Sequence, residues 1–331
     1  MIEQSAQDVE RKVMAILKVL SDTSEPVGAT VIARKLKNLG VDLTERGVRY
    51  HLKLMDERGF TERRRRDGRL ITEQGREELQ SALVTDKIGF IIAKIQLLAY
   101  RTTFDPLTRQ GQVVVNVSFF PKERFPDAVK AMSPAFRAAL GVSDLVAVGG
   151  EGERLGDSIV PKGKVGIGTV CSVTTNGVLL KSGIPMDSNF GGILQLRNSK
   201  PLRFVEIISY AGSTLDPSEV FLRGKMTSVQ QAATEGRGRI LANFREIPAA
   251  CRDLAVGVLA RLRDVGLGGL VIMGNTSEPL CEVPVGLNRV GLILLGGLNP
   301  VAAAMEAGID VENAAMGGMV EFSRLRSFWE L

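Results

Sequence analysis

The sequence predicts an α/β (α+β) domain with internally duplicated halves, preceded by a small winged helix-turn-helix domain. Three observations lead to this fold class. Three short helical patterns precede a β-hairpin signal at the start of the chain, short apolar runs alternate with helical patterns from residue 112 onward, and turn-forming residues recur there at a fixed spacing. The 331 residues suffice for two domains, which we place at 1–84 and 85–331.

The first domain begins with helical patterns at 9–22, 29–39 and 45–58. Thr44 is a suitable N-cap for the third of these helices. Two short β-prone runs follow, separated by Asp67-Gly68, a pair that is typical of a tight hairpin turn. Three helices followed by a hairpin are the element order of a winged helix.

Basic residues are concentrated in this part of the chain. Residues 43–72 hold nine basic and five acidic side chains, an excess of four in a chain whose net charge is +5. A winged helix sets its third helix in the major groove and its hairpin along the phosphates. The candidate DNA-binding residues are Thr44, Arg46, Arg49, Tyr50 and Lys53 on the helix, and Arg63, Arg64, Arg65, Arg66 and Arg69 in the hairpin. A solvated charged face, or a winged helix that binds RNA or protein, are the alternatives.

Composition excludes several other classes of protein. The longest apolar runs, such as 290–298, are too short to span a membrane, and no secretory signal opens the chain. Three cysteines without a pairing pattern favour a reducing cytoplasm. The single histidine, His51, makes a histidine-based metal site or catalytic triad implausible, and we expect it on a surface or half-buried helix position.

An apolar helix at 85–100 joins the two domains, and we expect it to pack on the second domain or on a second copy. The second domain then alternates strands and helices. Predicted strands are 113–119, 144–148, 170–173, 177–181, 192–196, 204–208, 240–244, 268–273 and 291–296. Predicted helices are 126–140, 248–264 and 300–307.

Within this region a shift of 99 residues aligns several turn-forming residues. Asn176 then meets Asn275, and Pro185 meets Pro284. Such residues mark turns with special backbone angles, so their coincidence is more informative than that of apolar residues. We therefore predict pseudo-repeats at about 112–208 and 236–310, with a small-molecule cleft between the related halves.

No catalytic motif is complete in this domain. Residues 166–168 (GIG) lack the third glycine of a dinucleotide fingerprint, and Lys164 is followed by valine rather than the serine or threonine of a P-loop. We therefore expect no enzyme, no cofactor and no metal site.

The same domain does contain residues that are suited to a ligand site. The run 171–177 (CSVTTNG) offers hydroxyl, amide and backbone N–H groups for an anion, and basic residues near strand ends could clamp a carboxylate. The candidate ligand-binding residues are Cys171, Ser172, Thr174, Thr175, Asn176, Lys181, Arg203 and Arg239. A polar turn with solvated charges is the alternative.

Several unusual runs of this domain resemble the effector domain of NrpR-type nitrogen repressors. They are 168–172 (GTVCS), 176–177 (NG), 181–185 (KSGIP), 190–192 (FGG), 210–217 (YAGSTLDP), 238–248 (GRILANFREIP) and 296–300 (GGLNP). The resemblance covers about 87–320. It implies a cytoplasmic repressor of nitrogen-assimilation genes that binds palindromic double-stranded operators as a homodimer or higher oligomer and is relieved by 2-oxoglutarate.

Three alternatives stay open from sequence alone. The chain could be a regulator that senses a different small metabolite, an enzyme acting on a carboxylic acid and fused to a DNA-binding domain, or a scaffold that only oligomerises. One effector domain follows the winged helix here, whereas some relatives carry two, so the oligomeric arrangement is not implied.

Overall fold

The computed structural model describes residues 2–23, 25–37, 41–64, 68–81 and 89–331. The chain divides into two compact units, one formed by 1–97 with 212–214 and the other by 98–211 with 215–331. The division falls inside the helix that joins them, later along the chain than the predicted boundary near residue 84.

The N-terminal unit contains helices followed by a hairpin, as the sequence predicts. The helices are α1 (Ile2–Ser21), α2 (Ala29–Lys37), α3 (Glu45–Glu57), α4 (Glu73–Ser81) and the start of α5 (Phe90–Arg101). An apolar stripe at helical spacing gives α1 a buried face that includes Ile16 and Leu20, and these pack with Ile32, Leu36 and Leu52 of the next two helices.

The hairpin pairs β1 (Thr61–Arg64) with β2 (Gly68–Ile71) in antiparallel register. Val27, which lies between α1 and α2, forms a further antiparallel bridge to Arg69. The backbone of Val27 comes so close to Gly68 that only glycine fits there. Gly68 has a φ of +124°, and an added Cβ would lie 2.3 Å from the carbonyl carbon of Val27. The predicted wing is therefore part of a small sheet.

The C-terminal unit is built from two antiparallel sheets with helices between their strands. Its strands are β3 (Gln112–Pro121), β4 (Leu145–Gly149), β5 (Arg154–Leu155), β6 (Ser158–Ile159), β7 (Lys164–Val170), β8 (Asp187–Arg197), β9 (Lys200–Ser209), β10 (Gly238–Pro248), β11 (Leu270–Thr276), β12 (Arg289–Leu295), β13 (Glu312–Glu321) and β14 (Arg326–Ser327). Its helices are α6 (Phe125–Arg137), α7 (Val173–Lys181), α8 (Pro217–Arg223), α9 (Val229–Glu235), α10 (Arg252–Asp264) and α11 (Asn299–Glu306). The sheet orders are β13-β3-β7-β4-β14 and β11-β12-β10-β8-β9.

The two sheets show the duplication that the sequence predicts. A strand, a helix, two strands, a helix and a strand occur twice, from β3 to β8 and again from β10 to β13, and the first copy has the short β5–β6 pair inserted between its two middle strands. The last strand of each copy pairs with the first strand of the other copy, so β8 lies beside β10 and β13 beside β3. Exchange of these strands makes each half incomplete without the other.

Equivalent residues in the two copies make equivalent contacts. Thr174, at the start of α7, bonds through its hydroxyl to both the N–H (3.0 Å) and the C=O (3.1 Å) of Val114. Asn299, at the start of α11, likewise accepts from the N–H of Leu241 (2.8 Å) and donates to its C=O (2.9 Å). In each copy one polar side chain therefore ties the second helix to the first strand.

The predicted 99-residue shift is wrong. It pairs Asn176, which lies on helix α7, with Asn275, which lies on strand β11. The copies are instead offset by about 125 residues, from Thr174 to Asn299, and 127 residues, from Val114 to Leu241. The Asn and Pro matches of the 99-residue shift are therefore coincidences.

Two predicted strands are also wrong. Residues 170–173 and 177–181 were expected to be extended, but helix α7 covers Val173–Lys181. Their β-branched and apolar residues suit a buried helix as well as a buried strand, because burial removes the alternation that separates the two patterns. Along the whole described part of the chain, no helix is long and apolar enough to cross a membrane.

Candidate functional site

Helix α3 presents a basic face to solvent, as predicted. Thr44 caps it by accepting a hydrogen bond from the N–H of Gly47 (3.2 Å). Val48, Leu52 and Met55 are buried, whereas the candidate side chains Arg46, Arg49, Tyr50 and Lys53 are exposed. His51 is buried, contrary to expectation, and its ring makes an edge-to-face contact with that of Tyr50.

The arginines of the wing differ in their surroundings. Arg63 is exposed, and Arg64 is exposed beside Glu62 at 2.5 Å. Arg69 is half-buried: its Nε lies 2.9 Å from Oδ2 of Asp56, a carboxylate that also accepts from the hydroxyl of Thr61. Arg69 thus holds the wing to α3 and is poorly placed to contact DNA, while Arg65 and Arg66 lie outside the described residues.

The predicted anion-binding turn is the buried start of helix α7. The N–H groups of Thr174 and Thr175 bond to the carbonyls of Cys171 and Ser172, both at 3.0 Å, and so are not free for an anion. Thr174 is occupied by β3, as described above. Cys171, Ser172, Thr175 and Asn176 are all buried.

The predicted cations do not join these residues. Lys181 is exposed at the far end of α7, where it lies over the ring of Tyr100, 4.9 Å from the centroid. Arg203 and Arg239 are exposed, and each pairs across the sheet with Gln195. Arg239 lies four residues, or about 13 Å, from Asn243 along β10.

A different cation occupies the interior of this unit. Arg245 on β10 is 1% exposed and is the largest fully buried side chain among the residues that the structure describes. Its Nε and Nη1 have no hydrogen-bond partner among the described residues. Buried guanidinium groups are costly unless something satisfies them, so the two open donors make this arginine a candidate for binding a ligand.

Polar side chains from four segments surround this arginine. Tyr210 donates to Oδ1 of Asn243, whose Nδ2 donates in turn to Oγ of Ser172 (3.1 Å). Ser188 pairs across the sheet with Arg245 and accepts from Nδ2 of Asn176 (3.0 Å). We call Ser172, Asn176, Ser188, Tyr210, Asn243 and Arg245 the polar cluster.

The cluster has open acceptors as well as open donors. Oδ1 of Asn176 is buried without a partner among the described residues, and the same is true of Oδ1 of neighbouring Asn189. Burial raises the pKa of Tyr210 to about 12, despite the opposing effect of the Arg245 charge. Tyr210 therefore stays protonated at neutral pH and keeps its donor role. A small molecule with a carboxylate for Arg245 and a polar group for Asn176 would suit this arrangement.

Of the polar cluster, the sequence alone predicted Ser172 and Asn176 as candidates. It did not indicate the other four members, which are Ser188, Tyr210, Asn243 and Arg245. The run 238–248 contains the available signal. It places Arg245 between the apolar Phe244 and the charged Glu246, a pattern that by itself indicates an outward-facing charge at least as well as a buried one. Only the segments that bury β10 in the folded chain show whether Arg245 faces solvent or the interior.

Other candidate chemistry is limited. No group of three or more His, Cys, Asp or Glu residues that could hold a metal ion occurs in the described ranges. A pocket of about 290 Å³ includes Glu219 and Asn313 in its lining. Glu219 already accepts from the N–H of Ala315 (2.8 Å), and Asn313 from the hydroxyl of Ser118 (2.7 Å), so this lining is satisfied from within.

Comparisons with known proteins agree with both units. Residues 88–327 match the family model for NrpR regulatory domains NRD1 and 2, and residues 14–79 match that of the ribonuclease R winged-helix domain. The global nitrogen regulator NrpRI of Methanosarcina mazei is 39% identical over 318 residues, which are 96% of this chain and 98% of that protein.

More distant relatives are longer. The global nitrogen regulator NrpR of Methanocaldococcus jannaschii is 33% identical over 96% of this chain but only 55% of its own length. That of Methanococcus maripaludis is 30% identical over 94% of this chain and 54% of its own length. The crystal structure of a nitrogen repressor-like protein from Methanococcus jannaschii covers 72% of this chain and 98% of its own, with a TM-score of 0.61 and 29% identity.

Proposed function

Because this chain belongs to the NrpR family of nitrogen regulators, we propose that it is a DNA-binding transcriptional repressor of nitrogen-assimilation genes. In this proposal 2-oxoglutarate binds in the C-terminal unit and weakens operator binding. The proposal depends on two features found together in one chain: an exposed basic face on α3, and a buried Arg245 whose Nε and Nη1 lack hydrogen-bond partners among the described residues.

The DNA-binding part rests on helix α3 and the wing. Arg46, Arg49, Tyr50 and Lys53 share the exposed face that would enter the major groove, and Arg63 and Arg64 extend from the wing toward the phosphates. Arg49 lies against Glu45, and Lys53 is 3.9 Å from Glu57. Such exposed pairs are weak and exchange readily for phosphate contacts. As a cytoplasmic homodimer, the protein would place two such helices about 34 Å apart on a palindromic site.

The ligand part rests on the polar cluster. The Arg245 guanidinium would donate to one carboxylate of 2-oxoglutarate through its open Nε or Nη1. The Nδ2 of Asn176, which gives one N–H to Ser188, has a second N–H that could donate to another oxygen of the ligand. Three residues of the polar cluster lie on three different elements: Ser172 in the segment before α7, Asn176 in the first half of α7, and Arg245 on β10. A ligand that joins them could therefore change how these elements pack, and a coupling of only ~1–3 kcal/mol would change DNA affinity about 5–150-fold.

The test is a titration of the full chain in two steps. Calorimetry measures 2-oxoglutarate binding, and gel shifts on duplexes from upstream regions of nitrogen-assimilation genes measure DNA binding with and without the ligand. We expect binding of the ligand and a weaker shift at millimolar concentration. An unchanged shift at that concentration contradicts the proposed regulation.

A panel of other organic acids, amino acids and nucleotides separates the alternatives. Tighter binding of another member of the panel, with the same loss of DNA affinity, would indicate a regulator that senses a different metabolite. Chemical conversion of a bound acid would indicate an enzyme. The open donors of Arg245 favour an anionic ligand in either case.

A further inference from the structure

A set of basic side chains lies at the end of the second sheet, remote from the polar cluster. Arg203, on β9, and Arg239, on β10, both pair with Gln195 of the strand between them, so the three side chains share one face of the sheet. Two strand spacings separate the arginines, a distance of roughly 10 Å. The next pair, Arg197 and Lys200, lies at the end of the hairpin two residues beyond Gln195 and continues the same face.

The backbone holds this set in place. Asn198 and Ser199 form a two-residue hairpin turn, with φ values of +53° and +58°, as a tight turn of this kind requires. The N–H of Ser199 donates to the carbonyl of Gly236 at 2.7 Å, which fixes the turn beside the segment that enters β10. Arg237, the next residue, is thereby brought to the same end. We call Arg197, Lys200, Arg203, Arg237 and Arg239 the basic rim.

Most of the rim charge is uncompensated. Arg237 pairs with Glu235, its Nε lying 2.7 Å from the carboxylate. Across the described ranges, the other four cations have no carboxylate within ion-pair distance, and all five are exposed. An uncompensated row of this kind costs little in water and attracts a polyanion.

We propose that the basic rim is a second contact surface for the phosphate backbone of double-stranded DNA, in addition to the winged helix. Guanidinium groups bind phosphate in a bidentate manner, and the four arginines of the rim supply them without rearranging buried groups. The basic rim includes a lysine and no aromatic side chain, whereas protein interfaces are enriched in aromatics and depleted in lysine. Its composition therefore favours DNA over a protein partner. The inference rests on the proposed DNA-binding function.

The test removes two rim charges in the full chain, as Arg203→Gln with Arg239→Gln. Affinity for a duplex of about 60 base pairs, some six helical turns, is measured by anisotropy over a series of KCl concentrations. Two lost phosphate contacts should make the log–log salt slope shallower by about 1.8 and weaken binding roughly tenfold at low salt. A matched control, Arg261→Gln with Arg326→Gln, removes the same charge from exposed positions on α10 and β14.

The outcomes separate this inference from the proposed function. If Arg46→Gln with Arg63→Gln weakens binding but the rim variant behaves as the control does, the rim inference is overturned and DNA binding by the winged helix stands. If the wild-type chain binds no duplex, both fail. If the rim variant keeps its salt slope but loses 2-oxoglutarate binding, the two arginines belong to a ligand site, and the inference is again overturned.

Discussion

The guanidinium of Arg245 lies over the ring of Tyr210, with its central carbon 4.8 Å from the ring centroid. Both side chains are buried, and the Tyr210 hydroxyl donates to Asn243. The aromatic face thus provides partial compensation for a charge whose Nε and Nη1 lack hydrogen-bond partners among the described residues. A cation kept in this state is costly to the fold, and binding of an anion would recover that cost.

Arg245→Met should therefore separate stability from binding. Replacement of a buried, incompletely satisfied charge by an apolar side chain of similar length is expected to leave the unfolding free energy unchanged or raise it by about 1–4 kcal/mol. Calorimetry should show loss of 2-oxoglutarate binding in the same variant. Arg245→Lys is the control, since it keeps the charge but loses the planar set of N–H donors. A strongly destabilised Met variant would show instead that the arginine serves the fold.

The pH dependence of stability should report on Tyr210. Its pKa is raised from 10.0 to about 12 in the folded chain, mainly by burial. Below pH 10 the hydroxyl is protonated in both states, so its full contribution is present. Between pH 10 and 12 the unfolded state releases this proton first, and stability falls by about 3 kcal/mol over that interval.

Tyr210→Phe has no such proton and should show a flatter profile over the same interval in urea unfolding. Because the variant also loses the bond to Asn243, its stability at neutral pH should be lower by about 1 kcal/mol. Equal slopes for the two proteins between pH 10 and 12 would argue against a buried, raised-pKa tyrosine.

The wing arginines should divide into two classes. Arg69→Ala breaks the half-buried pair with Asp56 and should lower the unfolding free energy of the N-terminal unit by about 1–2 kcal/mol. Arg63→Ala removes only an exposed side chain, so it should weaken binding to all duplexes while leaving thermal unfolding unchanged. Asp56→Ala is the matched control, since combined with Arg69→Ala it should cost less than the two single changes added together. Additive effects would mean that the pair does not couple.

The contrast between Arg69 and Arg245 shows what sequence could and could not predict. Local patterns predicted the order of the helices, the β1–β2 hairpin and most strands of the C-terminal unit. They could do so because turn residues and helical periodicity act over a few positions. Whether an arginine faces water, a carboxylate or a buried aromatic ring depends on segments distant in sequence. Arg69 meets Asp56 and Arg245 meets Tyr210 only in the folded chain.

The exchange of strands between the two copies was also not predicted from the sequence. Strand β13 was not predicted, because Gly317 and Gly318 weaken its apolar pattern. Without β13 the second copy lacked its last strand in the sequence prediction. The order of elements therefore gave no reason to replace the 99-residue shift by the correct offset. The correct offset becomes visible only through contacts such as those of Thr174 and Asn299.

These two residues provide the last prediction. Asn299 is fully buried and makes three bonds, to the N–H and C=O of Leu241 and to the C=O of Leu140 (3.0 Å). Asn299→Ala removes all three bonds and leaves the C=O of Leu241 with only the N–H of Gly296 as a partner, at 2.8 Å. The change should cost about 3 kcal/mol in urea unfolding. Thr174→Val, which removes the equivalent bonds to Val114, should cost about 1–2 kcal/mol, because a hydroxyl makes fewer bonds than an amide.

Thr174→Val also tests the residue's role. Since its hydroxyl is occupied by the backbone of β3, the variant should bind 2-oxoglutarate with unchanged affinity in calorimetry despite its lower stability. Ser172→Ala is the comparison at the same end of α7: it removes the acceptor of the Asn243 side chain and should weaken ligand binding, because Asn243 would no longer be held against Tyr210. A Thr174→Val protein of normal stability that binds no ligand would restore the original assignment of this threonine to the ligand site.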